Sequence, residues 1–498
     1  MSVLWYIAVA AVICLVFRGH SSEAATVKKP DRSLSKPKVL LLSIGGFRGD
    51  YLTNLNLTNI DEMVMNGTKA KYVQNSVNVL DIVDHYSIAT GLYPESHGII
   101  SNIMFDSNLN RVFNSKTRAD PEWWANVYPI WHEILNQGQG RSALCNWPGV
   151  YGPMMPNLYC GQRRKKSLKS NIDQALRWLQ EDVDLVLLYS DDIKKAALKW
   201  GPYSQDAINE VKKFDSIMEY VLNKTRDLNV NIMLTSDSGV TELKHLHIDL
   251  DRCLNPKSYV LTQPQGTLLI YPKHGYTVQE LYQNLTTCKH VKVYLKEELP
   301  ERFHFSDNSR IPPVIVFVPL GAFVQSHLNP AGSNMGGTGY HPGYEVMRGV
   351  FIGYGPSFHR GLKFQAIKNV DIYGLVCHLL KIKPRPNNGS YEVVSSMFND
   401  MTSFADEVPA VAVIPDVITP GVNSTAVPSQ LILSKTQILD NVKILFWILV
   451  VITAFLLFFC CIGCISTMYL NQKQAYAHKT RVHTPGTKPL LSDSSDEE

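Results

Sequence analysis

Three short apolar runs, separated by stretches with helical periodicity, constrain the fold of this chain most. Lys38–Ile44, Asp184–Tyr189 and Asn231–Thr235 are rich in Leu, Val, Ile and Met, as in strands that are buried on both faces of a sheet. Lys169–Glu181 precedes the second run, and Asp206–Lys224 lies between the second and the third. Both ranges carry apolar residues spaced by three and four. Strands that alternate with helices predict an α/β fold with a mostly parallel sheet between helix layers.

The pattern changes after Gly239, where shorter strand candidates replace the long buried runs. Gly266–Tyr271 and Val291–Tyr294 are examples, and we predict a small α+β insertion over about residues 246–308. Pro312–Pro319 then predicts a return to the sheet.

Two uncharged apolar segments predict how the chain is placed relative to a membrane. Val3–Phe17 is followed by small residues and is typical of a signal peptide, here over residues 1–24. Ile444–Leu470 is long enough to span a bilayer, and basic residues follow it. We therefore expect a single-pass type I protein of the plasma membrane whose bulk is extracellular.

The remaining boundaries follow from these two segments. The ectodomain is predicted over residues 37–400 and a stalk rich in Pro, Val, Thr and Ser over 405–440. Residues 471–498 form the predicted cytoplasmic tail. A net charge of +4 in 498 residues gives no reason to expect a nucleic-acid partner.

Glycosylation and disulfides are expected in such an ectodomain. We predict two disulfide bonds, each closing a short loop: Cys145 with Cys160, and Cys253 with Cys288. The fifth cysteine, Cys377, lies in an apolar helix pattern that is typical of a buried free thiol. The N-x-S/T acceptor sites are Asn56, Asn66, Asn223, Asn284, Asn388 and Asn423.

The segment from Asp81 to Asn102 contains the most specific motif of the chain. It includes His85-Tyr86 and then Thr-Gly-Leu-Tyr-Pro-Glu-Ser-His-Gly-Ile-Ile up to Ile100. This text resembles the ectonucleotide pyrophosphatase/phosphodiesterase family, zinc enzymes of the alkaline phosphatase superfamily, which have P-T-K-T-F-P-N-H-Y followed by a near copy. The resemblance covers roughly Lys38–Tyr391 and implies an alkaline phosphatase-like fold.

Without a gap, the second threonine of P-T-K-T, which is the family's nucleophile, falls on Asp81. The family's two zinc ions need carboxylate and imidazole ligands. Of the six ligand positions that the resemblance implies, only Asp237 keeps its residue type. The other five, found through D-G-F-R, Y-x-E-x-P-D-x-x-G-H-x-x-G-P, S-D-H-G and H-G-Y-D-N, are Gly45, Lys194, Leu198, Ser238 and Thr338.

The residues leave several interpretations of this site open. Asp81, Asp84, Asp237 and His341 could hold a cation in a rebuilt site, although Lys194 adds positive charge there. Alternatively, Asp81 or Asp237 forms an ion pair with Lys194. Asn102 falls on the family's phosphate-contacting asparagine and is equally suited to a turn.

From these substitutions we predict a pseudoenzyme without a cofactor: a cell-surface glycoprotein with a binding, adhesion or signalling role. Its expected partner is an extracellular protein, glycan or nucleotide-like ligand. The alternative is an active or residual nucleotide pyrophosphatase/phosphodiesterase that hydrolyses phosphodiester bonds with a rebuilt metal site.

Overall fold

The computed structural model of the protein describes residues 36–77, 80–151, 154–160, 166–244, 246–263, 265–329 and 334–399. The predicted signal peptide, stalk, transmembrane segment and tail, together with Asn423, lie outside these residues. Within the described ranges, no helix is long and apolar enough to cross a membrane.

An eight-stranded sheet forms the centre of the fold. Its middle strand, Lys38–Ile44, pairs in parallel with Leu185–Ser190 on one side and Val230–Thr235 on the other. Phe351–Tyr354 lies antiparallel beside Val230–Thr235, so the sheet is mixed but mostly parallel. The strand order from edge to edge is Leu362–Phe364, Thr68–Ala70, Phe351–Tyr354, Val230–Thr235, Lys38–Ile44, Leu185–Ser190, Ser142–Cys145 and Leu158–Tyr159.

Helices cover both faces of this sheet. Val39 and Leu41 of the middle strand belong to one buried cluster, and Leu40 and Leu42 belong to another, because successive side chains of a strand point to opposite faces. The predicted α/β fold is therefore confirmed. The longer helices are Thr58–Asn66, Asp81–Thr90, Ile130–Asn136, Leu168–Gln180, Asp192–Trp200, Gln205–Thr225, Val278–Thr286 and Asp371–Leu380, and the short ones are Tyr51–Asn54, Pro94–His97 and Tyr391–Val394.

A second, antiparallel sheet has its own buried cluster and one packed helix, Val278–Thr286. Thr277 and Glu280 cap that helix reciprocally, since each side chain accepts from the other residue's backbone N–H. The strand order is Tyr259–Gln263, Thr267–Pro272, Val314–Phe317 and Lys292–Leu295. Val314–Phe317, expected from the sequence to rejoin the large sheet, instead lies inside this second one.

Short strand pairs connect the larger elements. The parallel pair Val73–Gln74 and Ile367–Lys368 lies next to the site described below. The other pairs are Met104–Asp106 with Arg111–Phe113, Thr241–Glu242 with Gly336–Gly337, and His247–Asp249 with Phe323–Gln325.

Two disulfide bonds join Cys145 with Cys160 and Cys253 with Cys288, and Cys377 is a buried free thiol. The first bond links the strands Ser142–Cys145 and Leu158–Tyr159 at the edge of the large sheet. The second closes the segment that contains two strands of the second sheet, Tyr259–Gln263 and Thr267–Pro272.

Candidate functional site

The carboxyl ends of three parallel strands bring together several of the residues that the sequence analysis singled out. We call this region the carboxyl edge: the ends of Lys38–Ile44, Leu185–Ser190 and Val230–Thr235 and the residues that follow them. Gly45 follows the first strand directly, and Asp237 comes two residues after the third. Lys194 lies in the first turn of the helix Asp192–Trp200, just after the second strand. Such edges are where ligands bind in open α/β sheets.

Lys194 forms the centre of the carboxyl edge. Its Nζ donates to Asp81 Oδ1 at 2.5 Å and to Asp237 Oδ2 at 2.8 Å. Ser238 Oγ lies 3.4 Å from the same nitrogen. The ion pair that the sequence left open is therefore formed, and with both carboxylates rather than with one.

Burial differs sharply among these three side chains. Asp237 is 0% exposed and Lys194 8%, whereas Asp81 is 39% exposed. Asp81 begins the helix Asp81–Thr90, which the sequence analysis did not predict. Of the three side chains, that of Asp81 is therefore the most accessible to solvent.

The three charged groups shift one another's pKa values. Burial opposes charge on Lys194, but the two carboxylates outweigh burial and raise the pKa of Lys194. Burial also raises the pKa of Asp237, to about 6, because the attraction of Lys194 offsets it only in part. For Asp81 the attraction of Lys194 exceeds the effect of burial, and the pKa of that carboxyl is lowered.

Asp84 lies one turn along the helix and is fully buried. Burial raises the pKa of Asp84 well above its ordinary value, and the charge of Asp237 raises it further. Asn369 Nδ2 donates to Asp84 Oδ1 at 3.1 Å. Asp84 therefore shares the interior of the site with Asp237 but lacks a direct pair with Lys194 among the contacts of the described residues.

Close packing surrounds Gly45, the first of the ligand positions that the resemblance implies. A Cβ atom on Gly45 would lie 2.6 Å from Tyr189 Oη, and one on Gly46 would lie 2.7 Å from Lys194 Cα. Gly46 has a φ of +76°, which favours glycine. The chain thus passes close to the aromatic ring of Tyr189 and to the Lys194 helix where an aspartate side chain would need room.

The other substituted positions have ordinary structural contacts. Thr338 Oγ1 donates to Gly239 O at 2.8 Å and lies 3.3 Å from Ser238 Oγ. Leu198 is half-buried against a small apolar cluster. His341 packs against the rings of Phe303 and Phe317, and its Nδ1 accepts from the backbone of Gly343.

Two buried histidines of the motif stabilise the scaffold. His85 contacts Ser43 Oγ through Nε2 at 2.8 Å and the Asp81 carbonyl through Nδ1 at 2.6 Å. His97 contacts Ser87 Oγ at 2.9 Å. Burial lowers the pKa of His85 to about 4 and that of His97 to about 3, so both are neutral at physiological pH. Asn102 is exposed at the surface.

The two-zinc arrangement that the resemblance implies does not fit these residues. The ammonium of Lys194 lies within hydrogen-bond distance of both carboxylates that would face a metal ion. Across the part of the chain that the structure describes, no group of three or more His, Cys, Asp or Glu side chains could hold a metal ion. We therefore derive no chemical step through zinc.

Comparisons with known proteins identify the family. The family model described as "Type I phosphodiesterase / nucleotide pyrophosphatase" matches residues 39–345. A bis(5'-adenosyl)-triphosphatase of Bos taurus is 33% identical over 387 residues, which cover 75% of this chain and 82% of that protein. Ectonucleotide pyrophosphatase/phosphodiesterase family member 5 of Homo sapiens is 32% identical over 376 residues, or 73% of this chain and 78% of its own length.

A solved structure agrees with the sequence comparisons. The murine family member 5, as an inactive variant in complex with AMP, superposes with a TM-score of 0.69 at 29% identity and covers 73% of this chain and 100% of that one. The alkaline phosphatase-like fold expected from the motifs is thereby confirmed.

The comparisons correct two predictions. The prediction that the protein is not an enzyme is wrong, because relatives spanning about three quarters of the chain are named for hydrolase activities. That prediction took the residue types at Gly45, Lys194, Leu198, Ser238 and Thr338 as a sign that all activity is lost, and no feature of the described residues shows inactivity.

The prediction that the protein has no cofactor is wrong for a related reason. The family to which the relatives belong uses zinc, and an altered ligand set at one place does not decide the cofactor of the whole chain. A set of oxygen atoms, described below, includes Asp237 and otherwise lies outside the ligand positions that the resemblance implies.

The fold, the motif around Asp81, the family model over residues 39–345 and the relatives at about one-third identity agree with one another. The chain belongs to the type I phosphodiesterase / nucleotide pyrophosphatase family.

Proposed function

We propose that the protein is a cell-surface hydrolase of phosphodiester or pyrophosphate bonds in nucleotide-type substrates. One observation carries the proposal: a relative named as a bis(5'-adenosyl)-triphosphatase aligns with 75% of the chain. The matched residues 39–345 include the whole carboxyl edge. The binding of AMP by an inactive variant of the murine relative supports a nucleotide-type ligand.

Two side chains support this proposal by their chemistry. The side chain of Asp81 is partly exposed, and Lys194 Nζ lies 2.5 Å from its carboxylate. Lys194 would offset the charge of phosphoryl oxygens, while a carboxylate accepts the proton of an attacking water molecule. The water oxygen bonds to phosphorus, the bond to the leaving oxygen breaks, and that oxygen takes up a proton.

The same geometry limits the expected rate. Because the pKa of Asp81 is lowered by Lys194, its carboxylate is a weak base. Lys194 in turn pairs with two carboxylates, and their negative charge weakens its attraction for a phosphoryl group. We therefore expect turnover below that of relatives with the complete zinc site.

Ligand binding at the cell surface is a second candidate function, and the contacts of Lys194 favour it. The ammonium of Lys194 already pairs with Asp81 and Asp237. It is therefore better suited to stabilising the folded site than to contacting a phosphoryl group during a reaction. The ligand would be an extracellular protein, a glycan or a nucleotide-like molecule.

Hydrolysis can be tested with the full chain displayed on cells. We expect release of a nucleoside monophosphate from a dinucleoside triphosphate, above the level of cells without the protein. Asp81→Asn should lower the rate by about tenfold or more. Asp61→Asn, on the surface helix Thr58–Asn66, is the matched control and should keep the rate.

Absence of product from the wild-type chain would contradict the hydrolase proposal. In that case, stabilisation of the chain by AMP against thermal unfolding would support the binding role instead.

The placement in the membrane is tested separately. Protease added to intact cells should remove the glycosylated mass and leave a tail fragment, and a tail epitope accessible from outside would contradict the type I orientation.

A further inference from the structure

Behind the ion pairs lies a set of buried oxygen atoms without a hydrogen-bond donor. Each is fully shielded from solvent, and none has a hydrogen-bond partner in the described part of the chain. We call them the oxygen cluster; its atoms are Asn75 Oδ1, Ser76 Oγ, Asp84 Oδ2, Asp237 Oδ1 and Asn369 Oδ1.

Two strand ends and one helix bring these residues to one place. Gln74 and Lys368 pair in the short parallel sheet, so Asn75 and Asn369 are the next residues on adjacent strands. Asn369 N donates to Gln74 O at 3.1 Å. The two asparagines therefore lie side by side where both strands end.

Hydrogen bonds join one asparagine to the Asp84 carboxylate and the other to the backbone of Asp237. Asn369 Nδ2 donates to Asp84 Oδ1 at 3.1 Å, and Asn75 Nδ2 donates to the backbone carbonyl of Asp237. The backbone of Ser76 lowers the pKa of Asp84 slightly, which places Ser76 near that carboxyl. Both side-chain amides thus use their nitrogens as donors, and their oxygens are left as acceptors.

The two oxygens of Asp237 divide between the halves of the site. Oδ2 accepts from Lys194 Nζ at 2.8 Å, whereas Oδ1 belongs to the oxygen cluster. Three carboxylates, those of Asp81, Asp84 and Asp237, face one ammonium. When all three are ionised, Lys194 balances one of these charges, and a divalent cation would balance the other two.

Acceptors that are buried without donors are costly, so such a group calls for a partner. Carboxylate, amide and hydroxyl oxygens are the ligands that calcium and magnesium prefer, and no nitrogen or sulfur ligand is needed for them. A proton on Asp84 and the hydroxyl hydrogen of Ser76 could together satisfy at most four of the five atoms, so at least one acceptor would still lack a donor.

We propose that the oxygen cluster binds a divalent cation with oxygen ligands, calcium above all, next to the Lys194 ion pairs. Asn75, Ser76, Asp84 and Asn369 are not among the family's zinc-ligand positions, and Asp237 contributes the oxygen that Lys194 does not use. The site does not depend on whether the chain hydrolyses nucleotides, because its ligands and its charge are independent of any substrate.

The test uses the full chain, purified in detergent and treated with a chelator. Calcium chloride is then added at constant ionic strength, and the melting temperature and the heat of binding are measured. We expect saturable binding with a Kd on the order of 10⁻⁴–10⁻³ M, as in extracellular calcium modules, and a rise in melting temperature. Magnesium and sodium serve as parallel arms.

Two variants remove cluster atoms, and one serves as the control. Asp84→Asn keeps the shape of the side chain and removes a charge, so calcium binding should weaken about tenfold or more. Ser76→Ala removes a single neutral ligand and should weaken binding less. Asp61→Asn removes a carboxylate elsewhere and should bind as the wild type does.

Three results would overturn the proposal. Absence of saturable calcium binding by the folded wild-type chain would leave Asp84 as a neutral acid or the cluster as a buried-water site. Equal calcium binding by wild type, Asp84→Asn and Ser76→Ala would place the ion elsewhere. A sodium response as large as the calcium response would exclude a divalent site.

Discussion

The two halves of the carboxyl edge satisfy buried charge in different ways. In the first, Lys194 pairs directly with Asp81 and Asp237. In the second, the oxygen atoms of the oxygen cluster have no hydrogen-bond partner in the described part of the chain. The first half carries its own cation, and the second has the ligands for an external one. The side chain of Asp237 belongs to both halves, so a substitution in one half should alter the electrostatics of the other.

Removing the internal cation should have the largest effect. Lys194→Met keeps most of the volume but leaves Asp237 buried without its pair, and we expect a loss of about 3–5 kcal/mol in the free energy of unfolding. Chemical denaturation followed by fluorescence measures this change. Lys199→Met, on the exposed end of the same helix, should cost less than about 0.5 kcal/mol. Equal effects of the two substitutions would mean that the ion pairs add no stability.

The pH dependence of stability should show the excess negative charge. Burial raises the pKa of Asp237 to about 6 in the folded state. Because this value exceeds the unfolded one, near 4, the stabilisation from the bound proton is complete below about pH 4 and is lost as the pH rises through about 6. In a chelating buffer we expect a loss of up to about 3 kcal/mol across this window.

Asp237→Asn should flatten that pH profile, whereas Asp61→Asn should not. Asp84 contributes to the slope with the same sign, since burial raises its pKa as well. A profile unchanged by Asp237→Asn would contradict the assignment of the slope to this group.

Tight packing around the paired half gives a smaller effect. A Cβ on Gly45 would lie 2.6 Å from Tyr189 Oη, so Gly45→Ala should cost about 1–2 kcal/mol as the ring shifts. Thermal unfolding measures the cost. In a Tyr189→Phe background the clashing oxygen is absent, and the same substitution should cost less; an undiminished cost would show that the ring is not the obstacle.

The smallest effect is expected in the unpaired half. Without a bound cation, Asp84→Asn replaces one neutral, hydrogen-bonded group by another, and stability in chelator should change by less than about 1 kcal/mol. The difference between wild type and variant should appear only when calcium is added. A loss in chelator as large as that of Lys194→Met would remove the distinction between the two halves.

The large sheet could be predicted from the sequence because strands that are buried on both faces leave a pattern that is easy to recognise. Residues such as Leu40 and Leu41 are buried on opposite faces, which requires an unbroken apolar run. Val314–Phe317 was assigned to the wrong sheet because an apolar run says that a strand is buried, not which partners it has. The helix Asp81–Thr90 was missed because nine of its residues are buried, which hides the amphipathic period.

At the site, the motifs predicted residues such as Lys194 and Asp237, which the structure brings together at the carboxyl edge. Whether Lys194 pairs with Asp81 or with Asp237 depends on side-chain direction, which sequence does not contain. Asn75 and Asn369 were missed altogether because they lie far apart in the chain and only strand pairing brings them together. The alternative with Asp81, Asp84, Asp237 and His341 named two of the cluster's residues but included a histidine that packs against aromatic rings.

A crystal structure of the chain grown in calcium tests the central claim most directly. The claim is that an internal ammonium and an external cation share the carboxyl edge. We predict that Lys194 Nζ stays within hydrogen-bond distance of Asp81 and Asp237, with calcium bound by Asp84 and Asp237 Oδ1 at about 2.3–2.6 Å. Electron density showing Lys194 turned out to solvent, with a metal ion between Asp81 and Asp237 in its place, would contradict it.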